Sequence, residues 1–92
     1  MPISIYKIAP REEGDGLCGD NWKLSDQIHA LETWLDKKGK YLKPNKYVAD
    51  IGFAIEKDAT GGGGVLNSKS MKILGAIGMD VYFSEYPSTL DE

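Results

Sequence analysis

The chain has 92 residues, a net charge of −3 and 27% charged residues, which leaves room for one hydrophobic core and roughly 5 to 14 kcal/mol of net stability. It has no run of about 18 apolar residues and no signal-like start, so we expect neither a membrane helix nor secretion. The single cysteine, Cys18, excludes an internal disulfide and favours the cytoplasm. We therefore expect one α+β domain over residues 1–92 with a frayed tail at 88–92.

The first predicted element is a strand over residues 2–9, where β-branched and aromatic residues alternate. Because apolar residues fall on both of its faces, we expect this strand to be covered on both sides. The acidic, glycine-rich segment 11–20 has no periodicity and is predicted to be a surface loop. Residues 22–24 are predicted to form a short strand that pairs back on the first one.

Residues 21–39 show the strongest pattern in the chain, that of an amphipathic helix. Its apolar residues recur at helical spacing and predict one buried stripe: Leu24, Ile28, Leu31 and Leu35, with Trp34 at its edge. Ser25 is predicted to be the N-cap, because its hydroxyl can accept a hydrogen bond from an amide of the first turn. Gly39 is predicted to adopt the left-handed conformation that commonly follows a helix end.

The second half of the chain alternates predicted strands and a helix. Residues 40–46 should form an irregular connection with Leu42 turned inward, and residues 47–57 a strand with one core face and one mixed face. The glycine-rich segment 58–64 is predicted to be a mobile, dispensable connector. Asn67 should cap a helix over residues 68–77 that ends at Gly78.

The predicted second helix and last strand complete the core. In the helix we expect Met71, Leu74 and Ile77 to face inward, and Gly75 to allow close approach to the sheet. In the strand 79–86, alternation separates two sets: Met79, Val81 and Phe83 toward the core, and Asp80, Tyr82, Ser84 and Tyr86 away from it. The predicted fold is α+β, a three- or four-stranded, mostly antiparallel sheet with two helices packed on one face.

The sequence specifies no catalytic, cofactor or metal site. The Gly61 to Gly64 run lacks the Lys and Ser/Thr of a phosphate-binding P-loop, and the acidic segment lacks the ligand spacing of a calcium loop. One histidine and one cysteine are too few for zinc. We therefore predict a non-enzymatic protein. The alternative is a small-ligand-binding domain or small enzyme that uses the 58–66 loop or Cys18.

Charge is segregated along the chain. Acidic residues dominate 11–20, including Glu12, Glu13 and Asp15, whereas residues 37–46 contain five lysines and no acid. Lysines at a helix C-terminus are explained by the helix dipole, and the chain as a whole is acidic. These two facts argue against nucleic acid as a partner.

Several segments resemble a bacterial domain family of unknown function. The resemblance covers residues 22–87 and depends on the Trp22-x-Leu24-Ser25 helix start and on the C-terminal helix and strand, SKSMKILGAIGMDVYFSEYP. It implies helices on a mostly antiparallel sheet, and it supplies no catalytic residues.

These observations lead to a hypothesis of protein binding. Tyr82, Tyr86 and Asp80 are predicted to lie on an open sheet face, where tyrosine offers large contact area with a polar tip. Glu12, Glu13 and Asp15 are predicted to steer a basic partner toward that face. We expect a bacterial immunity or inhibitor protein that occludes a toxin or another enzyme. An uncovered sheet edge would also permit a homodimer.

Overall fold

The structure, a computed structural model, describes residues 2–8, 11–55 and 63–87. Its elements in chain order are β1 (Ile3–Lys7), β2 (Glu12–Leu17), α1 (Leu24–Lys37), a 3-10 turn (Gly39–Tyr41), β3 (Tyr47–Ala54), α2 (Ser68–Ile77) and β4 (Met79–Tyr86). The strands form one four-stranded sheet of order β2-β1-β3-β4. β1 is antiparallel to β2 and to β3, whereas β3 and β4 are parallel. The predicted fold class is confirmed.

The core lies between the sheet and the two helices. Alternate strand residues point into it, as the pleat requires, and they are Ile3, Ile5, Ala49, Ile51 and Met79. The predicted stripe of α1 is confirmed, since Ile28, Leu31 and Leu35 are buried while Leu24 and Trp34 are half-buried at its border. Leu42 packs against the same core, also as predicted.

The start of α1 is fixed to the sheet by Gln27, a polar residue that the apolar pattern did not mark as buried. Its Nε2 donates to the carbonyl oxygens of Gly52 in β3 at 2.6 Å and of Asn21 at 2.8 Å. The side chain is fully buried, where an unpaired amide nitrogen would be costly. The two bonds therefore hold residues 21–27 against the centre of the sheet.

Both predicted ends of α1 are wrong by a short distance. The helix begins at Leu24 with Lys23 at the N-cap, so Ser25 lies inside the first turn and does not cap it. Instead, Asn21 Oδ1 accepts from the Lys23 amide at 2.9 Å. Gly39 begins the 3-10 turn and is not left-handed; glycine is needed there because a Cβ would collide with the side chains of Trp34 and Leu35.

The predicted loop at 11–20 is largely a strand. Residues 12–17 form β2, which pairs with β1 through a bulge between the positions of Ser4 and Tyr6, and residues 22–24 form no strand. Backbone pairing with β1 explains this strand, since the segment has no apolar alternation. On the face away from the helices, Ser4 and Tyr6 of β1 are half-buried and Ile8, just beyond the strand, is exposed, so this face is covered only in part and less than predicted.

The second helix confirms its predicted ends but not all of its predicted faces. Asn67 Oδ1 accepts from the Ser70 amide at 2.8 Å, and Gly78 ends the helix at φ 81°. Leu74 and Ile77 are buried as predicted. Met71 is 53% exposed, because Ser70 takes the inward position, and a Cβ built at Gly75 would have no atom of the described residues outside the helix backbone within 4 Å. The expected approach of Gly75 to the sheet is therefore wrong.

The connector predicted at 58–64 lies outside the described residues except for its last two glycines. Gly63 has a φ of 124°, and a Cβ at Gly64 would collide with the Ile28 side chain of α1. Gly64 is thus packed against the first helix. A substitution there would displace the end of the Ile28 side chain, so we expect Gly64 to tolerate replacement less well than an unpacked connector would.

Replacing Leu31 by alanine should lower the free energy of unfolding by about 2 to 5 kcal/mol, because Leu31 is fully buried and its removal leaves a cavity. Denaturant unfolding at constant m-value measures this change. Met71→Ala is the matched control on the exposed side of α2 and should cost less than about 1 kcal/mol. Equal losses at the two positions would contradict the assigned helix faces.

Candidate protein-binding surface

The side of the sheet away from the helices, here called the open face, carries the tyrosines that the sequence predicted. The parallel register places Asp50 beside Tyr82 and Ala54 beside Tyr86. Tyr82 and Tyr86 are 46% and 49% exposed, and Asp80 is exposed on the same strand. The structure therefore brings these three predicted site residues together along β4.

Trp22 is also part of this surface, although the sequence pattern did not indicate it. Its ring packs edge-on against Tyr86, with centroids 5.5 Å apart. Both rings lie over Gly52, where a Cβ would be only 2.9 Å from the Tyr86 ring and 3.2 Å from the Trp22 ring. The Trp22 carbonyl also accepts from the Ala54 amide at 3.0 Å, which extends the ladder of β3. Gly52, a glycine within the most regular predicted strand, was the feature of the sequence that could have indicated an aromatic ring packed across that strand.

The acidic groups of the open face differ in their partners from those of β2. Ser84 Oγ donates to Asp50 Oδ1 at 2.7 Å, which fixes one carboxylate. Among the described residues, no cation lies within salt-bridge distance of Asp50 or Asp80. These carboxylates lie beside partly exposed aromatic rings, a combination suited to lysine or arginine side chains of a partner.

The acids predicted to assist binding lie on β2, at the opposite edge of the sheet. The order β2-β1-β3-β4 separates β2 from β4 by three strand spacings, about 14 Å. Lys7 pairs with Glu12 at 3.2 Å and Arg11 with Glu13 at 2.9 Å. The structure does not bring these acids to the tyrosines, and intramolecular cations already screen them.

Asp15 has a structural partner in α1. Trp34 Nε1 donates to Asp15 Oδ2 at 2.6 Å, and Lys38 Nζ lies 3.5 Å from the same oxygen. The Trp34 hydrogen bond, followed by the Lys38 charge, holds the pKa of Asp15 below its ordinary value of 3.8. This carboxylate fastens β2 to the first helix.

On the β1 side of the open face, a cation covers the aromatic ring of Tyr6. The Arg11 guanidinium lies 4.1 Å from the centre of the Tyr6 ring and binds Glu13 beside it. The Arg11 charge is paired with Glu13, and the Tyr6 ring is covered by Arg11, so both groups already have partners within the chain. The β4 side, with Trp22, Tyr82 and Tyr86, is the part of this face whose aromatic groups remain accessible.

The alternative sites do not form a reactive cluster among the described residues. Cys18 is half-buried at φ 75°, and burial, followed by the charge of Asp26, raises the pKa of its thiol, which disfavours the thiolate. The described residues contain no group of three potential metal ligands. His29 lies at a shallow groove of about 250 Å³ between α1 and α2.

The acidic side chains near that groove have partners within the chain. Asp36 accepts from Lys69 at 3.1 Å and from Lys40 at 3.5 Å, and the Lys69 hydrogen bond is the main cause that lowers its pKa. Glu32 Oε2 accepts from the Asn67 amide at 2.8 Å. These contacts connect the two helices, so the charges of the groove have a structural explanation.

Comparison of the chain with protein-family models, with curated proteins and with solved structures found no match. Within the described residues, neither helix combines the length and the apolar content that crossing a membrane requires.

Asp15→Asn should destabilise the fold by about 1 kcal/mol at neutral pH, because it weakens a charge-assisted bond at a partly exposed site. The pKa of Asp15 is lowered in the fold, so its contribution is complete above the ordinary value of 3.8 and is lost as the pH falls through the folded value. Denaturant unfolding should show the two proteins converging in acid. Glu13→Gln on the same strand is the control, with a change below about 0.5 kcal/mol; an equal loss would contradict the role of Asp15.

Proposed function

We propose that this chain is a non-enzymatic protein-binding domain that recognises its partner through the β4 side of the open face. The observation that carries the proposal is the cluster of Trp22, Tyr82 and Tyr86, each close to half exposed, beside Asp50 and Asp80. Aromatic residues of this type dominate the energetic centres of protein interfaces.

The charge of the surface favours a basic partner. The acids on the β4 side of the open face have no cationic partner among the described residues, whereas each acid described on β2 has one. Desolvating an unpaired carboxylate beside an aromatic ring is favourable only if a cation replaces the water. A lysine or arginine of the partner, placed between Asp50 or Asp80 and the tyrosines, would satisfy this condition.

The biological role that we propose is that of a bacterial immunity or inhibitor protein in the cytoplasm, which occludes a toxin or another enzyme. Small acidic inhibitors often use such surfaces to associate quickly with basic clefts. The lone, half-buried Cys18 is compatible with a reducing compartment. Affinity capture from a lysate of the source organism, followed by mass spectrometry, would identify the partner.

Tyr86→Ala should weaken binding of that partner by about 1 to 3 kcal/mol, because an aromatic anchor at an interface centre contributes on this scale. The unfolding free energy should fall by no more than about 1 kcal/mol, since Tyr86 is half exposed and its ring packs edge-on against Trp22, which is also partly exposed. Isothermal titration and thermal unfolding separate the two effects.

Tyr41→Ala is the matched control, because Tyr41 is 74% exposed and lies in the 3-10 turn, outside the sheet. It should leave both binding and stability nearly unchanged. If Tyr41→Ala weakens binding as much as Tyr86→Ala does, or if Tyr86→Ala has no effect, the proposed surface is wrong. Stabilisation by a nucleotide, metal or metabolite in a thermal-shift screen would favour the small-ligand alternative at the 58–66 loop or Cys18.

A further inference from the structure

Among the described residues, β2 and β4 are the two edge strands of the sheet, and their outer edges differ. β2 carries a bulge, two glycines and ion pairs, which are features that protect an edge strand from pairing with another chain. β4 runs for eight residues in regular register with no proline or bulge. Phe83, on its helix side, is 54% exposed. β4 therefore lacks the usual protection against strand addition.

The backbone groups that β4 leaves free follow from its pairing with β3. The Tyr47 amide donates to the Gly78 carbonyl, so Gly78 and the even-numbered residues after it direct their backbone groups toward β3. The amide and carbonyl groups of the alternate residues point away from the sheet. These outward residues are Met79, Val81, Phe83 and Glu85.

We infer that β4 pairs in antiparallel fashion with β4 of a second copy of this chain, centred on Tyr82, so that two four-stranded sheets become one continuous sheet. In this register Val81 faces Phe83 of the second copy, and Met79 faces its Glu85. Every outward backbone group then has a partner, for about eight hydrogen bonds in total. Centring on Phe83 instead would place Met79 opposite Pro87, which has no amide hydrogen.

The side chains agree with the same register. On the open face, Asp80 lies opposite Ser84 of the second copy, whose hydroxyl hydrogen is already donated to Asp50, and Tyr82 lies opposite Tyr82. On the helix side, the exposed Phe83 ring covers the half-buried Val81. No carboxylate lies directly opposite another, although the strand contains two acids, so like-charge repulsion does not oppose this pairing.

The exposed side of α2 supplies a second, independent observation. Ser70 and Ile73 line the groove with α1, and α1 packs over β3 and β2. Met71 and Gly75 lie on the opposite side of the helix by its 100° periodicity, and so face beyond β4. Gly75 has open space around it, and glycine inside a helix is unfavourable. A second α2 that packs close to Gly75 across the dimer axis would explain this glycine, which no contact among the described residues explains.

The joined surface has the size of a modest interface. A strand of eight residues is about 27 Å long, and α2 adds a second layer above it. Each copy would bury several hundred Å², compared with roughly 800 Å² per partner in a standard interface. We therefore expect a weak dimer whose formation depends on concentration between the micromolar and millimolar ranges.

Sedimentation velocity of the full chain, from low micromolar to millimolar concentration, tests this inference. The wild-type chain should pass from monomer to dimer. Gly75→Lys should remain monomeric, because the new side chain fills the space between the two α2 helices, while its Cβ contacts none of the described residues outside α2. Ala76→Lys is the matched control, exposed on the neighbouring side of the same helix, and should still form the dimer.

A second pair of variants tests the strand itself. Phe83→Pro removes an outward amide that makes no bond to β3, so the monomer keeps its ladder and the dimer is lost. Phe83→Ala keeps the amide and should weaken the dimer roughly tenfold or less. Circular dichroism verifies that each variant is folded. A wild-type chain that stays monomeric at millimolar concentration would overturn the inference, as would a dimer unaffected by both Gly75→Lys and Phe83→Pro.

Discussion

The parallel pairing of β4 with β3 is the constraint on which the surface of this protein depends. A parallel neighbour requires the chain to return along the sheet, and α2 provides part of that return. The helix has ten residues and is about 15 Å long, whereas β4 has eight residues and is about 27 Å long. The helix therefore covers Met79 and Val81 but leaves Phe83 exposed. The same return places β4 at the edge of the sheet, where half of its backbone groups have no partner among the described residues.

The parts of the fold that were predictable from sequence are those where the local pattern and the tertiary packing agree. The stripe of α1, the Asn67 cap and the Gly78 end each depend on residues close in sequence, and each is confirmed. β2 was not predicted because it is stabilised by pairing with β1 and by the hydrogen bond between Asp15 and Trp34. Neither interaction requires apolar residues to alternate along the strand. Gln27 was missed because its burial depends on carbonyl groups supplied by distant segments.

The same distinction applies to the candidate site. Alternation in β4 correctly placed Tyr82 and Tyr86 on one exposed face, since the period of a strand is fixed by its pleat. It could not show that Phe83 would be uncovered, because that depends on the length of α2. The alternation within β4 also could not predict the strand order, and the strand order separates Glu12, Glu13 and Asp15 from the tyrosines. Trp22 belongs to this surface because it packs over Gly52, and this contact joins segments that are far apart in sequence.

The proposed edge pairing and the proposed recognition of a partner by the open face are compatible within one molecule. A dimer through β4 would use backbone groups in the plane of the sheet, while the rings of Trp22 and Tyr86 would remain accessible from above it. Two copies would then present a continuous open face with the same aromatic and acidic groups repeated about a two-fold axis. Such an arrangement would suit a partner that is itself two-fold symmetric, or one with two basic segments.

Amide hydrogen exchange followed by NMR tests the central claim, that alternate residues of β4 carry free backbone groups which a second copy occupies. At low concentration, the amides of Asp80, Tyr82 and Ser84 should exchange slowly, and those of Val81, Phe83 and Glu85 quickly. At high concentration the second set should become protected, while the first set should change little. Protection of Val81, Phe83 and Glu85 already at low concentration, or an absence of protection when the chain is dimeric, would contradict the account.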